Sequence, residues 1–457
     1  MSKNSKSSDY DFDRRNFLKM GTAGLGAALS GSSISESSET KTGQAPVEFT
    51  APKIDTVKIG YVGVGGMGSA HVRNLLSIDG CEIRAVCDII PDRVLKIQNQ
   101  VEEAGQKRPK GYSRGDTDFK RLCDQGDLDL VYTATPWEWH TPVCVAAMEA
   151  GKHAATEVPA AITIDECWQL VETAERTKRH CIMMENCCYD RAELLILNLV
   201  RKGMLGEIIH AECGYLHDLR SLKFEFEKKG EAVWRTEHSI KRGGNVYPTH
   251  GLGPVAQCMN VNRGDQFDYL VSMGTKSIGL NLYAAEKYGP NHKWAKQKFE
   301  LEDINVSMIR TMKEGTITVI HDCSSPRPYT RINLVQGTKG IARKWPEKIH
   351  IEGRSEMHQW EPLEDYREEY DHPLWKALNE ASSGAGHGGM DYIEDYRLIK
   401  CLREGLPMDM DVYDAAAWSA VTELSERSAR NRSKTMDFPD FTRGAWKIRK
   451  PLGIVGA

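Results

Sequence analysis

The sequence has no surplus of positive charge. Its 60 lysines and arginines are outnumbered by 64 aspartates and glutamates, for a formal net charge of -4. Nothing there offers a basic stripe to a phosphate backbone, so nucleic acid is not an expected partner. Beyond the first 30 residues no apolar run is long enough to cross a bilayer, and no membrane span is expected in the mature chain. Twelve cysteines are present, but no CxxC pair occurs and Cys187-Cys188 is an adjacent pair, which suits no usual zinc spacing. No metal is expected. Most cysteines stand inside apolar runs, as Cys81, Cys87, Cys144 and Cys181 do. A chain of 457 residues builds a core without a disulfide framework, so buried free thiols are expected. What is left, with 40% hydrophobic and 27% charged residues, is the composition of a globular protein of two domains behind a leader.

The leader has a recognisable grammar. Residues 13–19 read Asp-Arg-Arg-Asn-Phe-Leu-Lys, and a Gly/Ala-rich, mildly apolar stretch runs from Met20 to Leu29. Paired arginines, then Phe and Leu, then a weak apolar segment resemble a twin-arginine export signal. Residues 1–30 are therefore assigned to a signal and export to the periplasm is expected. Residues 31–55, rich in Ser, Thr and Gly with no apolar period, are assigned to a linker. No lipobox cysteine and no A-x-A site follow the apolar stretch.

From Thr56 the pattern changes. Thr56–Val64 is a β-branched apolar run of the kind that forms a buried parallel strand. It leads into Gly63-Val-Gly65-Gly66-Met67-Gly68 and then a helical pattern over Ser69–Leu76. Such glycines permit a tight turn and let the backbone approach a pyrophosphate, which the N–H groups of the following helix then bind. A second strand, Cys81–Cys87, ends at Asp88, twenty residues past Gly68, where a ribose-binding acid is expected. A carboxylate there accepts from a 2′-hydroxyl and repels a 2′-phosphate, so NAD is favoured over NADP, although Arg93 stands nearby. Leu128–Thr135 is a further strand, followed by Pro136-Trp137-Glu-Trp-His140 and a helix stopped by Gly151. Trp137 and His140 thus fall at a strand's carboxyl end, where open α/β sheets bind ligands. Thr163 and Glu166 form a capping-box pattern, and Cys181–Asn186 is another strand. Residues 56–190 are assigned to a Rossmann dinucleotide-binding domain.

Residues 191–457 are assigned to a second, α+β domain that binds substrate. Glu207–Tyr215, Ile304–Met312, Thr316–Asp322 and Thr330–Val335 have strand character, and Asp391–Arg403 and Asp414–Arg427 have helix character. A large, mostly antiparallel sheet is expected, with one face on the Rossmann domain and the other exposed or at an oligomer interface.

The GxGxxG opening, the "TATP…H" loop and "GKHAATEVP" resemble the Gfo/Idh/MocA oxidoreductases. Members of that group carry Glu-Lys-Pro where this chain has Glu157-Val158-Pro159, and the lysine is their usual catalytic residue. The blocks "WEWH" (137–140), "TEVPAA" (156–161), "MENCCY" (184–189), "ECGYLHD" (212–218), "GGNVYPTHGLGP" (243–254), Tyr329 in "SPRPYTR" and "GHGGMD" (386–391) resemble an offshoot, glycoside hydrolase family 109. The resemblance implies an NAD-dependent α-N-acetylgalactosaminidase. The reaction it implies is oxidation of the sugar at C3, loss of the C2 proton, departure of the C1 group, addition of water and re-reduction. NAD-dependent glycosidases stand outside the two-carboxylate scheme, so no paired acids are required. The alternative is an NAD-dependent sugar oxidoreductase of the parent group. Expected cofactor contacts are Gly63, Gly65, Gly66, Met67, Gly68, Asp88, Trp137, His140, Glu157, Val158 and Asn186. Expected sugar contacts are Tyr215, Arg235, Tyr247, Pro248, Thr249, His250 and Tyr329. His250 is the expected proton-transfer residue, assisted by Tyr215 or Tyr247. The resemblance also implies that the last helices pack back on the first domain, and that the protein forms a homo-oligomer.

Overall fold

In the computed structural model, which describes residues 50–225, 233–452 and 454, six short apolar runs form one parallel sheet. The expected signal, and the linker as far as residue 49, lie outside the described residues. The strands are β1 (Val57–Val62), β2 (Cys81–Cys87), β3 (Lys110–Tyr112), β4 (Leu130–Thr133), β5 (His153–Thr156) and β6 (Cys181–Met183). Their order is β3-β2-β1-β4-β5-β6 and every neighbouring pair is parallel. This is the doubly wound order of dinucleotide-binding domains. β4 and β5 are buried at every residue, which is why they read as unbroken apolar runs rather than alternating ones.

The strands are shorter than their apolar runs. β1 stops at Val62 because Gly63 turns the chain with φ of 81°. β6 stops at Met183, and the Glu185 carboxylate accepts the Cys187 N–H to start a 3-10 turn over Asn186–Tyr189. The Thr163 and Glu166 side chains close a capping box at the head of helix Ile164–Thr177.

The second sheet has nine strands: β7 (Ile208–Leu216), β8 (Phe267–Gly274), β9 (Asn305–Thr311), β10 (Thr316–Asp322), β11 (Leu334–Gly337), β12 (Gly340–Arg343), β13 (Lys348–Ile351), β14 (Glu361–Pro362) and β15 (Met436–Asp437). Their order is β14-β13-β12-β11-β7-β10-β9-β8-β15, and only β7 and β10 run parallel. The run 330–335 is not one strand. Ile332 and Asn333 take positive φ, so Thr330 makes an isolated bridge to Leu216 and β11 begins at Leu334. Along β9, Ser307 and Ile309 face inward, while Val306 and Met308 point outward beside Met273 of β8.

Helix Val412–Arg430 joins the two sheets. Ser419 Oγ accepts the Ala160 N–H beyond β5, Ser425 Oγ accepts the Asn245 N–H, and Ser428 Oγ accepts the Ser272 N–H in β8. Helix Met390–Glu404 instead covers the first sheet, where Leu398, Ile399 and Leu402 share a core with Ile59, Leu75 and Val86. A second core runs without interruption from Val131 and Leu170 to Ile309 and Val319.

Candidate functional site

A cleft of about 440 Å³ opens at the carboxyl ends of β1, β2 and β4 and extends to β7. Its first end is made mostly of backbone. Gly65, Gly66 and Met67 line it at the start of helix Gly66–Leu76. A Cβ at Gly63 would come within 2.9 Å of the Ala134 backbone, and one at Gly68 within 2.1 Å of the Gly63 carbonyl oxygen. Only glycine fits at either place, and the cradle left by the turn exposes helix N–H groups to an anion. Gly68 itself does not line the cleft; it lets helix and turn close together. Asp88 lines it, but both carboxylate oxygens already accept backbone N–H groups, from Val64 and from Ile90, each at 2.9 Å. Asp88 therefore clamps the glycine turn to the end of β2. Arg93 and Asp116 line the same end.

The middle of the cleft holds Trp137, His140, Glu157, Val158 and Asn186. His140 opens helix His140–Glu149, with Nδ1 2.7 Å from the Pro159 carbonyl and Nε2 2.8 Å from the Thr135 carbonyl. Burial outweighs these two acceptors and holds its pKa below the usual imidazole value, so it donates to one carbonyl at a time. Glu157 Oε1 lies 2.7 Å from His71 Nε2, and His71 Nδ1 lies 2.9 Å from Asp395 of helix Met390–Glu404. Burial works against charge on His71, but the Asp395 charge and the bonds to both carboxylates outweigh it, and its pKa stands well above 6.5.

The far end is built from side chains. Tyr215 ends near the tip of β7, Arg235 stands on helix Val233–Lys241, and Tyr247 and His250 flank the start of helix Thr249–Cys258. Tyr215 and Tyr247 ring centroids are 4.7 Å apart, and Tyr247 stacks on Trp137 at 5.4 Å. The Arg235 guanidinium lies 5.4 Å over Trp137 and 5.9 Å over Tyr247. Burial raises the pKa of both tyrosines, which keeps them neutral donors. His250 stands in the first turn of a helix rather than in a loop. Its Nδ1 is 2.7 Å from Glu185 Oε1 and its Nε2 is 3.4 Å from the Tyr247 hydroxyl. Burial tends to raise the Glu185 pKa, but the His250 charge and hydrogen bonds, with that from the Cys187 N–H, hold the carboxyl below its usual value.

Pro248 and Thr249 are buried beneath the turn and do not line the cleft. Tyr329 lies beside it, 5.0 Å from His217 ring to ring, and its hydroxyl accepts from Arg331 at 2.9 Å. Two residues of the site were absent from the sequence reading. Glu185 carried a signal, an acid inside the apolar run "CIMMEN" at a strand's carboxyl end. His387, within the block "GHGGMD", lines the cleft and binds Asp391 at 2.8 Å, while Asp391 accepts from Asn186 at 2.7 Å. Among the described residues, Glu185, Cys187 and His250 are a group whose ligand atoms lie within 4.8 Å of one another. Within this group His250 binds Glu185 Oε1, and the Cys187 thiol, pushed up by burial, donates to Asn186, while Glu185 Oε2 has no partner among the described residues.

A parallel sheet with a glycine cradle, facing a mostly antiparallel sheet across one cleft, defines an NAD-binding enzyme of the Gfo/Idh/MocA type. Residues 57–185 match the model described as "Oxidoreductase family, NAD-binding Rossmann fold", and residues 189–448 match "Glycosyl hydrolase 109, C-terminal domain". A glycosyl hydrolase family 109 protein of Shewanella pealeana is 47% identical over 97% of this chain and 99% of its own length. Another from Shewanella sp. (strain W3-18-1) is 45% identical over 98% of this chain and all of its own. The chain belongs to glycosyl hydrolase family 109. Among solved structures, levoglucosan dehydrogenase in complex with NADH and levoglucosan has a similar fold, with TM-score 0.64 at 18% identity over 84% of this chain and 100% of that one. An inositol dehydrogenase homolog from Azotobacter vinelandii, complexed with NADH and myo-inositol, has TM-score 0.61 at 20% identity over 84% of this chain and 98% of its own. NAD(H) is the cofactor, and the cradle at Gly63–Gly68 fits its pyrophosphate.

Proposed function

We propose that this protein hydrolyses terminal α-linked N-acetylgalactosaminides by oxidation at C3, elimination across C1–C2, addition of water and re-reduction. The observation that carries this reading is the Glu185–His250 pair: the imidazole is anchored by a buried carboxylate at 2.7 Å while its other nitrogen turns to the Tyr247 hydroxyl, in the cleft that the glycine turn also lines. Bound NAD supplies reversible hydride acceptance at the sugar's C3. Once C3 is a ketone, the C2 proton is acidic, and His250 has the geometry to take a proton and give one back. Glu185 fixes the imidazole's orientation through the bond to Nδ1, as the orienting acid does in other histidine-based sites. Tyr215 and Tyr247, kept neutral by burial, donate to sugar oxygens, and Arg235, stacked over Trp137, holds the ring or its acetamido oxygen. Tyr329 closes the side of the site next to His217, and Pro248 and Thr249 set the turn that aims His250. Val158, at the place of the parent group's lysine, offers no proton, which favours this reading over net oxidation of a free sugar.

Export by the twin-arginine route to the periplasm is part of the same proposal. That route carries folded proteins, and all twelve cysteines here are free and buried, as suits a chain that folds among reductants. A cycle that returns its hydride in each turnover has no need of a dinucleotide pool outside the cytoplasm. The apolar outer face of the second sheet, with Met273, Val306 and Met308 exposed, supports a homo-oligomer.

The test is turnover of an aryl α-N-acetylgalactosaminide in D2O by the NAD-bound protein. Released sugar carrying deuterium at C2 is the expected result. Release without deuterium would end the elimination mechanism. No release, with NADH accumulating on free sugars, would make the protein an oxidoreductase.

A further inference from the structure

Behind the wall formed by Tyr215, Tyr247 and Arg235 lies a second, small pocket of about 20 Å³. Lys223, His238, Ser239, His321 and Cys323 contribute to its other walls, and among the described residues no aspartate or glutamate lines it. The fold brings two buried nitrogens here. His321 lies on β10 directly across from Tyr215 on β7, so their side chains share the inner face of the sheet. Lys223 ends the short helix Arg220–Lys223 that follows β7. Lys223 is 3% exposed and His321 is 1% exposed, and among the described residues neither Lys223 Nζ nor His321 Nδ1 has a hydrogen-bond partner. The nearby acids are engaged elsewhere: Asp322 with Arg327 at 2.9 Å, Asp303 with the N–H groups of Ile278 and Gly279, and Glu138 with His238 at 3.2 Å.

Burial, and the neighbouring Arg235 charge, lower the Lys223 pKa, and an ammonium kept here beside a guanidinium, with no carboxylate among the described residues to answer them, is costly. A water would satisfy the hydrogen bonds but not the charge. An anion satisfies both. Size then selects the anion. About 10–15 Å³ of such space holds one water-sized particle, so this pocket takes a single monatomic ion and excludes sulfate, phosphate and carboxylates.

We propose that this pocket binds a chloride ion, held by Lys223 Nζ and His321 Nδ1, with Arg235 as the second cation. Burial, and then the Lys223 charge, keep the His321 pKa down at about 3, so the imidazole is neutral and carries one N–H to donate. The ion backs Tyr215 and Tyr247 and tethers the guanidinium that lies over Trp137. This site goes beyond the sugar-cleaving reading and does not depend on it.

Crystals of the full chain soaked in sodium bromide test the proposal directly. The expected result is an anomalous peak in contact with Lys223 Nζ and His321 Nδ1. In parallel, the thermal midpoint is measured in sodium chloride and in sodium gluconate at equal ionic strength. It should rise with the logarithm of chloride concentration, because a ligand that binds only the folded state stabilises it by mass action. Lys223→Met, which keeps much of the side chain's length and removes its charge, should abolish both the peak and the rise. A water and no bromide at this position, or a chloride dependence unchanged in Lys223→Met, would overturn the assignment. If that variant does not fold, the bromide experiment on the natural chain decides the matter alone.

Discussion

His250 and His71 each bond a buried carboxylate, at 2.7 Å to Glu185 and at 2.9 Å to Asp395, yet their second nitrogens meet different surroundings. The second nitrogen of His71 meets another acid, Glu157, and the ring is 1% exposed. The second nitrogen of His250 meets a neutral tyrosine and the open cleft. Two acids favour the charged form of His71, whereas the proton-transfer role proposed for His250 rests on one acid and an open side. Position along a sequence does not distinguish these roles. What distinguishes them is what the rest of the fold sets against the second nitrogen.

Removing each ring in turn separates the two histidines. His250→Ala should lower kcat on an aryl glycoside by about 10²–10⁴-fold with bound NAD retained. A loss of less than about threefold would remove His250 from the chemistry. His71→Leu should instead act on folding. It leaves Asp395 and Glu157 with no cation, a loss of about 3–5 kcal/mol for a broken buried pair, read in denaturant melts. An unchanged midpoint would show that the pair contributes no net stability. Between these in kind stands Gly68→Ala, whose methyl group has no room against the Gly63 carbonyl; the purified protein should carry much less NAD per chain. Full cofactor occupancy in that variant would mean that the turn relaxes freely.

The smallest effect is one of acidity, and its sign differs between histidines. The His71 pKa is raised on folding, so its contribution is complete below about pH 6.5 and is lost as pH rises through the folded value. His153 and His180 are pushed down by burial, to about 3 and about 4. Their neutral forms suit the fold above about pH 6.5, and stability falls as the pH drops from there toward those folded values, because only the unfolded chain takes the protons. Each contributes at most about 1.4 kcal/mol per pH unit to that slope. His153→Asn should flatten the curve of unfolding free energy between pH 6 and 4; an unaltered slope would assign the acid sensitivity to other groups.

The nucleotide end of the site was legible because its chemistry is local. A strand, a glycine turn and a helix occupy Val57–Leu76, and each glycine is forced by contacts within or just beside that segment. The role of Asp88 is only half visible in the sequence: the spacing puts it at the end of β2, while the engagement of its carboxylate by the Val64 and Ile90 N–H groups follows no spacing rule. At the far end of the cleft, Tyr215, Arg235, Tyr247 and His250 were found by resemblance rather than by pattern, since they come from three separate elements. Glu185 and His71 were missed because each looks like an ordinary core position until a distant partner is set beside it. The left-handed pair Ile332-Asn333 broke a strand that β-branched composition favoured, a backbone choice that side-chain propensity does not encode.

The bond between His71 and Asp395 has a consequence for biosynthesis. The dinucleotide half is the first part of the folded unit to leave the ribosome, but the helix that covers one face of its sheet, and supplies the counter-charge to His71, is made more than 300 residues later. Until that helix emerges, the glycine turn sits on an incomplete support. Nascent chains therefore lack this support for the nucleotide cradle until the helix Met390–Glu404 has been made.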